Sequence, residues 1–238
     1  MIDFKRFERQ IKMTEIGQSV QQKWWDSKVL VIGAGGLGCG VIQALASAGI
    51  GYLGVMDGDV VAITNLHRQW LYNEQAVGKQ KTTVAVDWIK LHNQAIQTVE
   101  IAEHLNEQNL ASRLEGYDIW IDCTDSPTAS LLIDAAAKER DVPWVFGSAE
   151  QWDGQVSVFQ YPDQNQKKWS YVDFFSHNVR SEMVGSCQER GVLGPVVHLI
   201  AMVQAMETLK VLGGLSPQFV GKMFCWDAWQ SRMNSVSL

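Results

Sequence analysis

The sequence predicts an α/β protein with a Rossmann-like, doubly wound and mostly parallel sheet that ends in an antiparallel C-terminal extension. Strand-like and helix-like segments alternate along residues 28–160 at the spacing of βαβ units. The first strand-like segment, VLVIG at 29–33, is continuously apolar, which is typical of a strand buried on both faces. A cluster of glycines and a helix-like run of small residues follow it, as in a strand that leads into a phosphate-binding turn.

Each predicted element follows from a local pattern of side chains. The N-terminal segment IGQSVQQKWWDSK is amphipathic and predicts a helix over 16–28. Pro127 suits the first position of a helix, and the pair Gly213-Gly214 is a typical helix stop. The other predicted helices lie at 37–48, 81–92, 107–115, 126–140 and 195–212, and the predicted strands at 29–33, 51–57, 99–105, 117–125, 142–150 and 154–161, with one or two more in 223–238.

The chain is predicted to form a single domain over residues 1–238, because it contains no internal repeat, low-complexity tract or obvious linker. Residues 161–189 show no clear hydrophobic period, and a long irregular segment in a compact domain is usually functional or disordered. The predicted parts are an N-terminal helical arm (1–27), a nucleotide-binding core (28–160), a loop (about 161–190) and a C-terminal helix with strands (191–238).

Composition excludes several classes of protein. With 46% hydrophobic residues among 238, the chain can bury a sizeable core, and we expect no apolar run as long as a membrane span. The formal charge of −6 argues against a general nucleic-acid surface. The N-terminus lacks the apolar core of a signal peptide, so we expect a soluble, cytoplasmic protein that binds neither membrane nor nucleic acid. The four cysteines, Cys39, Cys123, Cys187 and Cys225, form no C-x-x-C pair and predict neither a disulfide framework nor a zinc site.

The glycine cluster has two nucleotide interpretations. Gly33, Gly35 and Gly38 fit G-x-G-x-x-G, and Asp57 or Asp59 lies where an acid would hold the ribose of NAD. A nucleoside triphosphate would instead need backbone N–H donors, flanking cations and usually Mg²⁺ on a carboxylate. A structural turn without ligand is the third possibility.

Charged residues at the predicted strand ends favour the triphosphate. The carboxyl ends of parallel strands face one crevice, where such sheets bind their ligands. Gly33, Asp57 and Asp125 each end a predicted strand, and Arg68 and Lys81 supply cations nearby in sequence. The turn lacks the G-x-x-x-x-G-K-[ST] pattern of a P-loop, and its extra Gly36 lets the backbone approach phosphate closely.

Seven ordered motifs resemble the ThiF/MoeB/HesA family of ubiquitin-activating-type adenylating enzymes, over nearly the whole chain. They are RFERQ (6–10), GAGGLG (33–38), the acids of MDGD (56–59), NLHRQ (65–69), GKQK (78–81), DCTD (122–125) and GSCQERGVLGP (185–195). The resemblance implies that Mg-ATP adenylates the C-terminal glycine of a small ubiquitin-like sulfur-carrier protein and releases pyrophosphate. It further implies a homodimer, and a carrier that serves molybdopterin or thiamin biosynthesis.

The resemblance also implies a role for individual residues. Asp57 matches the ribose-binding acid, Asp125 matches the Mg²⁺-binding acid, and Arg9 matches an arginine that reaches the ATP of the partner subunit. The glycine backbone at Gly35 and Gly36 would contact the phosphates. Arg68 and Lys81 match the triphosphate-binding and catalytic cations, Asn65 and Gln69 line the same site, and Cys187 matches a cysteine that some relatives use to join the carrier.

Three departures from the family pattern leave alternatives open. The zinc-binding C-x-x-C pairs of many relatives are replaced, so we expect no zinc and a loop held by Trp169, Tyr171 and Phe174. Ser126 and Ser130 stand where relatives commonly have Asn and Arg. An ATP-binding member without turnover therefore remains an alternative, as do a member that adenylates another substrate and an NAD oxidoreductase.

Overall fold

A single mixed sheet of eight strands forms the centre of the molecule, in a computed structural model that describes residues 2–175 and 191–237. The strands are β1 (Lys28–Ile32), β2 (Tyr52–Met56), β3 (Gln97–Ile101), β4 (Ile119–Asp122), β5 (Trp144–Glu150), β6 (Asp153–Phe159), β7 (Lys222–Asp227) and β8 (Arg232–Ser237). Their order is β3-β2-β1-β4-β5-β6-β7-β8, with β1–β5 parallel and β6–β8 antiparallel. The predicted fold class is therefore confirmed.

Helices cover both faces of this sheet. They are α1 (Glu8–Ile11), α2 (Gly17–Asp26), α3 (Gly36–Ala48), α4 (Lys81–His92), α5 (Leu110–Arg113), α6 (Pro127–Arg140), α7 (Tyr171–Phe175) and α8 (Gly194–Gly213). One apolar core lies between the sheet and the helices α2, α3, α4 and α8, and a second lies under α6 and α7. Alternate residues of β1 enter the two cores, which explains why that strand is continuously apolar.

Helix α8 is the most apolar long helix of the described chain. With 20 residues and a mean hydropathy of 1.4, α8 is long and apolar enough to cross a membrane. The expectation that no apolar run is as long as a membrane span was therefore wrong. This helix packs against α3, β5 and β6, and 67% of its most apolar stretch is buried inside the molecule. The composition of α8 is therefore explained by its place between the sheet and α3.

Element boundaries differ from the sequence prediction beside the carboxyl end of β3. The strand predicted to 105 ends at Ile101, and the helix predicted over 107–115 is only the short α5. β3 lies at the edge of the sheet and stops where its partner β2 stops, because Ile101 pairs with Met56, the last residue of β2. Residues 102–105 are consequently free to line the crevice at that end of the sheet.

Aromatic packing holds the described start of the loop that follows β6. Tyr171 and Phe174 of α7 are buried against Phe159, with ring centroids 6.1 Å and 5.8 Å from it. The Trp169 indole donates to Asp163 Oδ2 at 3.1 Å. In the described residues 161–175, Tyr171 and Phe174 hold the loop by packing as expected, and Trp169 both packs against the second core and donates a hydrogen bond.

Candidate active site

A cavity of about 870 Å³ opens at the carboxyl ends of the parallel strands. The chain crosses this edge after β1, β2, β4 and β5, which is where open α/β sheets bind ligands. Most of the predicted site residues line it: Gly35, Gly36, Asp57, Asn65, Arg68, Gln69, Lys81 and Asp125. The fold thus brings together residues that are up to 90 positions apart in the sequence.

Two glycines of the turn are required by the fold itself. Gly33 has φ +94°, and a Cβ there would lie 2.7 Å from the carbonyl oxygen of Cys123. A Cβ on Gly38 would lie 2.0 Å from the carbonyl oxygen of Gly33. Both clashes involve backbone atoms that cannot move aside, so these glycines allow strand, turn and helix to pack closely.

Gly35 and Gly36 differ in what demands a glycine. A Cβ on Gly36 would lie 2.7 Å from Cγ1 of Val197, so close packing against α8 explains that residue. A Cβ on Gly35 would meet only Gln69 Nε2, at an ordinary 3.6 Å, and its φ is −79°. The neighbouring side chains would leave room for a Cβ at residue 35, so a ligand could approach the backbone closely there.

Asp57 fixes the turn and still faces the cavity. Its Oδ2 accepts the N–H of Ala34 at 2.7 Å, and its Oδ1 accepts the N–H of Asp59 at 2.8 Å. An ionised carboxylate can accept about four hydrogen bonds. The remaining capacity of this buried carboxylate suits it to accept from the hydroxyls of a ribose.

Lys81 is a nearly buried cation at the first position of α4. Its side chain is 6% exposed, and its Nζ lies 2.8 Å from Asp59 Oδ2 and 3.9 Å from Asp57 Oδ1. Burial by itself raises the pKa of Asp59, but the hydrogen bond and charge of Lys81, together with His104, outweigh it and lower that pKa. The ammonium is thus held at the cavity wall between two carboxylates, where it can also meet an anionic ligand.

His104 is a cavity residue that sequence reasoning missed. Its Nε2 lies 3.3 Å from Asp59 Oδ1, and the ring fits because residue 58 is glycine: a Cβ there would be 2.5 Å from its Cδ2. Ligand atoms of Asp57, Asp59 and His104 lie within 4.8 Å of one another, but Lys81 already supplies the positive charge beside them. The rule that strand ends face the crevice, applied to β3, would have pointed to this histidine.

The 3₁₀ turn Ile63–Asn65 and the residues after it carry three further predicted residues, Asn65, Arg68 and Gln69. Arg68 Nη1 donates to Thr64 O at 3.0 Å and to His67 Nε2 at 2.9 Å. Asn65 Oδ1 accepts the N–H of Ala62 at 3.1 Å. Both side chains therefore have local partners that position them at the cavity.

Gln69 carries an unpartnered polar atom at the cavity wall. The side chain is buried, and its Oε1 has no hydrogen-bond partner in residues 2–175 and 191–237. An unsatisfied buried polar group costs about 1–3 kcal/mol. Since this oxygen only accepts, a ligand hydroxyl or a water would satisfy it, while Nε2, next to Gly35, can donate to a phosphate.

The two acids of DCTD have separate roles. Asp122 is fully buried; its Oδ1 accepts from the N–H and hydroxyl of Thr124 at 2.9 Å and 2.8 Å, and its Oδ2 from Ser130 Oγ at 2.5 Å. Asp125 is exposed and lines the cavity. Because Mg²⁺ prefers carboxylate oxygens and usually shares them with phosphates and water, Asp125 fits a Mg²⁺ ligand and Asp122 does not.

The two serines that depart from the family pattern serve local structure. Ser126 caps α6, where its Oγ accepts the N–H of Ala129 at 3.3 Å. Ser130 donates to the buried Asp122. Both residues also line the cavity near Asp125.

We expect Asp122→Asn to stabilise the protein at high pH more than at low pH. Burial raises the pKa of Asp122 to about 6, against ~3.9 in an unfolded chain. The contribution of this carboxyl to stability is therefore fully present below about pH 4 and is lost as the pH rises through 6. The difference between the folded and unfolded pKa values corresponds to a loss of ~3 kcal/mol in the free energy of unfolding at pH 8. The asparagine amide stays neutral, so the variant avoids that loss.

The measurement is the free energy of urea unfolding at pH 4.5 and pH 8. The gain of Asp122→Asn over the wild type should appear mainly at pH 8. Asp125→Asn, which alters the exposed acid of the same motif, is the matched control and should show no such difference. An equal effect of Asp122→Asn at both pH values would mean that Asp122 is ionised throughout.

One predicted residue lies outside this cavity, and another falls outside the described part of the chain. Among the described residues, Arg9 lies in α1, exposed and outside the cavity of its own chain. Cys187 falls within residues 176–190, outside the described residues. Of the remaining thiols, Cys39 and Cys123 are buried, and burial raises the pKa of Cys39 to about 12.

The opposite wall of the cavity was not predicted from the sequence. It is formed by Ser148, Ala149 and Glu150 at the end of β5, by Gly154 and Gln155 of β6, and by Gly191 and Val192. Gln151 N donates to Gly191 O at 2.9 Å, and Gln151 O accepts from Leu193 N at 3.2 Å. The cavity thus extends from the glycine turn toward the β5–β6 hairpin.

Comparison with known proteins agrees with this architecture. A model of the ThiF family matches residues 7–238. The chain is 37% identical to the adenylyltransferase and sulfurtransferase MOCS3 of Caenorhabditis briggsae, covering 99% of this chain and 58% of that protein. It is 35% identical to the MOCS3 of Xenopus laevis, over 99% of this chain and 51% of that protein. The chain therefore spans about half the length of these relatives.

Solved structures share the fold. The E. coli MccB bound to MccA superposes with a TM-score of 0.86 at 24% identity, over 99% of this chain and 72% of that one. E. coli MccB with ATP superposes with a TM-score of 0.80 at 24% identity, over 92% of this chain and 66% of that one. PaaA gives 0.81 at 23% identity, over 98% and 73%. At these identities the likeness establishes the fold alone.

Proposed function

This chain belongs to the ThiF family, and we propose that it is an adenylyltransferase that uses ATP to activate the C-terminal glycine of a small ubiquitin-like sulfur-carrier protein. Pyrophosphate is the second product, and the carrier serves molybdopterin or thiamin biosynthesis. One observation carries the proposal: a single cavity gathers an unobstructed glycine backbone, two cations and an exposed carboxylate. A dinucleotide such as NAD would need neither the two cations nor the exposed carboxylate.

The reaction joins two anions, so the site must offset their repulsion. A carboxylate oxygen of the carrier attacks the α-phosphorus of ATP, the bond from that phosphorus to the bridging oxygen breaks, and the electron pair leaves with pyrophosphate. Positioning and electrostatic stabilisation therefore supply most of the catalysis. Arg68 and Lys81 are the residues that offset the negative charge, and a Mg²⁺ ion held by Asp125 would supply further positive charge.

The cavity orders these parts along the sheet edge. Asp57 and His104 lie at the ends of β2 and β3 and suit the nucleoside, while Gly35 and Gln69 lie over β1 and suit the phosphates. The unpredicted wall at the end of β5 suits the carrier's tail. A C-terminal Gly has no side chain, so it can pass a narrow approach to the α-phosphorus.

We further propose that the enzyme is a homodimer. The outer face of α8 exposes Leu199, Met202 and Met206, and an apolar hollow of about 310 Å³ joins this face to Trp226 and Met233. Exposed apolar patches of this kind mark protein interfaces. Arg9 lies outside its own cavity, which supports a role at the site of the partner.

The test is ATP–pyrophosphate exchange with a panel of sulfur-carrier proteins, each compared with a copy that lacks its final Gly. We expect exchange with one intact carrier and none with its shortened copy. Tight ATP binding without exchange for any carrier would contradict the proposal and favour a binding module without turnover. In that case Ser126 and Ser130 would be the first residues to restore to Asn and Arg.

A further inference from the structure

Two exposed tryptophans form a pair on neighbouring turns. Trp152 lies in the turn between β5 and β6, and Trp229 lies in the turn between β7 and β8. Their ring centroids are 5.2 Å apart with an interplanar angle of 73°. Trp152 is 41% exposed and Trp229 is 73% exposed, so a large aromatic surface faces outward.

Backbone hydrogen bonds fix the two turns to each other. Asp153 and Asp227 pair in the register of β6 and β7, and Ala228 N donates to Trp152 O at 2.8 Å. Gln230 N donates to Asp227 Oδ1 at 2.9 Å, which closes the second turn. A surface that is already ordered loses little conformational entropy when it binds a partner.

The pair stands at the rim of the candidate active site. Trp152 lies between Glu150 and Asp153, and both of these acids line the cavity. Leu193, which is also exposed, bonds to the same turn through Gln151 O. A protein whose tail reaches the cavity from this side would place its folded part over the two rings.

The chemistry of this rim specifies a kind of partner. Tryptophan is enriched among the residues that dominate binding energy in protein interfaces, since it buries a large apolar area in a rigid ring. Asp153, next to Trp152 in the sequence, is exposed, while Asp227 lies opposite Arg232 in the register of β7 and β8. A matching surface therefore has an apolar centre with a lysine or arginine near Asp153.

We propose that Trp152 and Trp229 form the docking surface for the folded body of the protein whose C-terminal tail enters the cavity. This inference rests on the proposed adenylation of a carrier protein. The pair binds the body of the carrier and takes no part in the chemistry at the phosphate. It therefore sets the affinity for the carrier, while the cavity residues set the rate.

The test compares Trp152→Ala/Trp229→Ala with the wild type on two substrates. One is the intact carrier that supports exchange, and the other is a synthetic peptide of its C-terminal residues. We expect the KM for the carrier to rise at least ~10-fold, with kcat and the KM for ATP unchanged. Exchange with the peptide, which lacks the body, should not change.

Two control variants separate docking from general effects. Leu91→Ala removes an apolar side chain that is 87% exposed on α4 and should leave all constants unchanged. Trp152→Phe/Trp229→Phe keeps aromatic rings and should recover most of the affinity. Circular dichroism and thermal midpoints of each variant establish that the fold is retained.

Three outcomes would overturn the inference. They are an unchanged KM for the carrier, an equal loss with the peptide, and a change of oligomeric mass in the alanine variant, which would assign the pair to a contact between copies. Calorimetric binding of the carrier needs no turnover, so it tests docking even if no exchange occurs. Absence of exchange with normal, tryptophan-dependent binding would refute only the adenylation.

Discussion

Gly38→Ala is expected to destabilise the fold by at least ~3 kcal/mol, the upper range for overpacking in a close-packed interior. The added Cβ would lie 2.0 Å from the carbonyl oxygen of Gly33 and 2.9 Å from its carbonyl carbon. Those are backbone atoms of a turn that Asp57 holds through the N–H of Ala34. Neither partner can shift without separating α3 from β1, and urea unfolding measures the cost.

Gly35→Ala is the matched control, and we expect it to weaken ATP binding while leaving the stability of the fold nearly unchanged. The new Cβ would make an ordinary contact at 3.6 Å with Gln69 Nε2, so we expect stability within ~1 kcal/mol of the wild type. The methyl group would, however, stand where the phosphates approach the turn, and we expect ATP to bind at least ~10-fold more weakly. Isothermal calorimetry measures the affinity. Unchanged ATP binding would show that the phosphates do not lie over this turn.

Lys81→Met is expected to lower the rate of pyrophosphate exchange by ~10²–10³-fold, the usual cost of losing one charge-stabilising donor. The nearly buried ammonium is held by Asp59 at 2.8 Å, with Asp57 at 3.9 Å, at the wall where the phosphates would lie. Steady-state kinetics should show the loss chiefly in kcat, because the charge matters most as negative charge builds up on the leaving pyrophosphate.

Removing Lys81 also takes a cation away from the buried Asp57 and from Asp59, which is half exposed and still contacts His104, so some stability is lost as well. The double variant Lys81→Met/Asp59→Asn separates the two effects. It should recover much of the stability and none of the exchange activity. Lys79→Ala changes an exposed lysine of the same GKQK motif and should affect neither the stability nor the exchange activity. Recovery of activity in the double variant would assign Lys81 a purely structural role.

Prediction from sequence succeeded where one local pattern decides the outcome. The continuous apolar run of β1 had to be buried on both faces, and the glycines after it could not continue a strand. Helix α4 begins and ends at the predicted residues, Lys81 and His92. Prediction failed at the carboxyl end of β3, where the strand ends at Ile101 because its partner β2 ends at Met56.

The sequence by itself determined the fold class, the glycine turn and the charged residues at one wall of the cavity. Those depend on motifs a few residues long and on the rule that parallel strands end at one edge. Only the tertiary structure decided that α8 packs against Gly36 and that a Cβ would have room at Gly35. It also placed His104 beside Asp59, and Trp152 beside Trp229. Such pairs join segments whose sequence separation carries no local signal, because their contact depends on how the whole sheet brings strand ends and turns together.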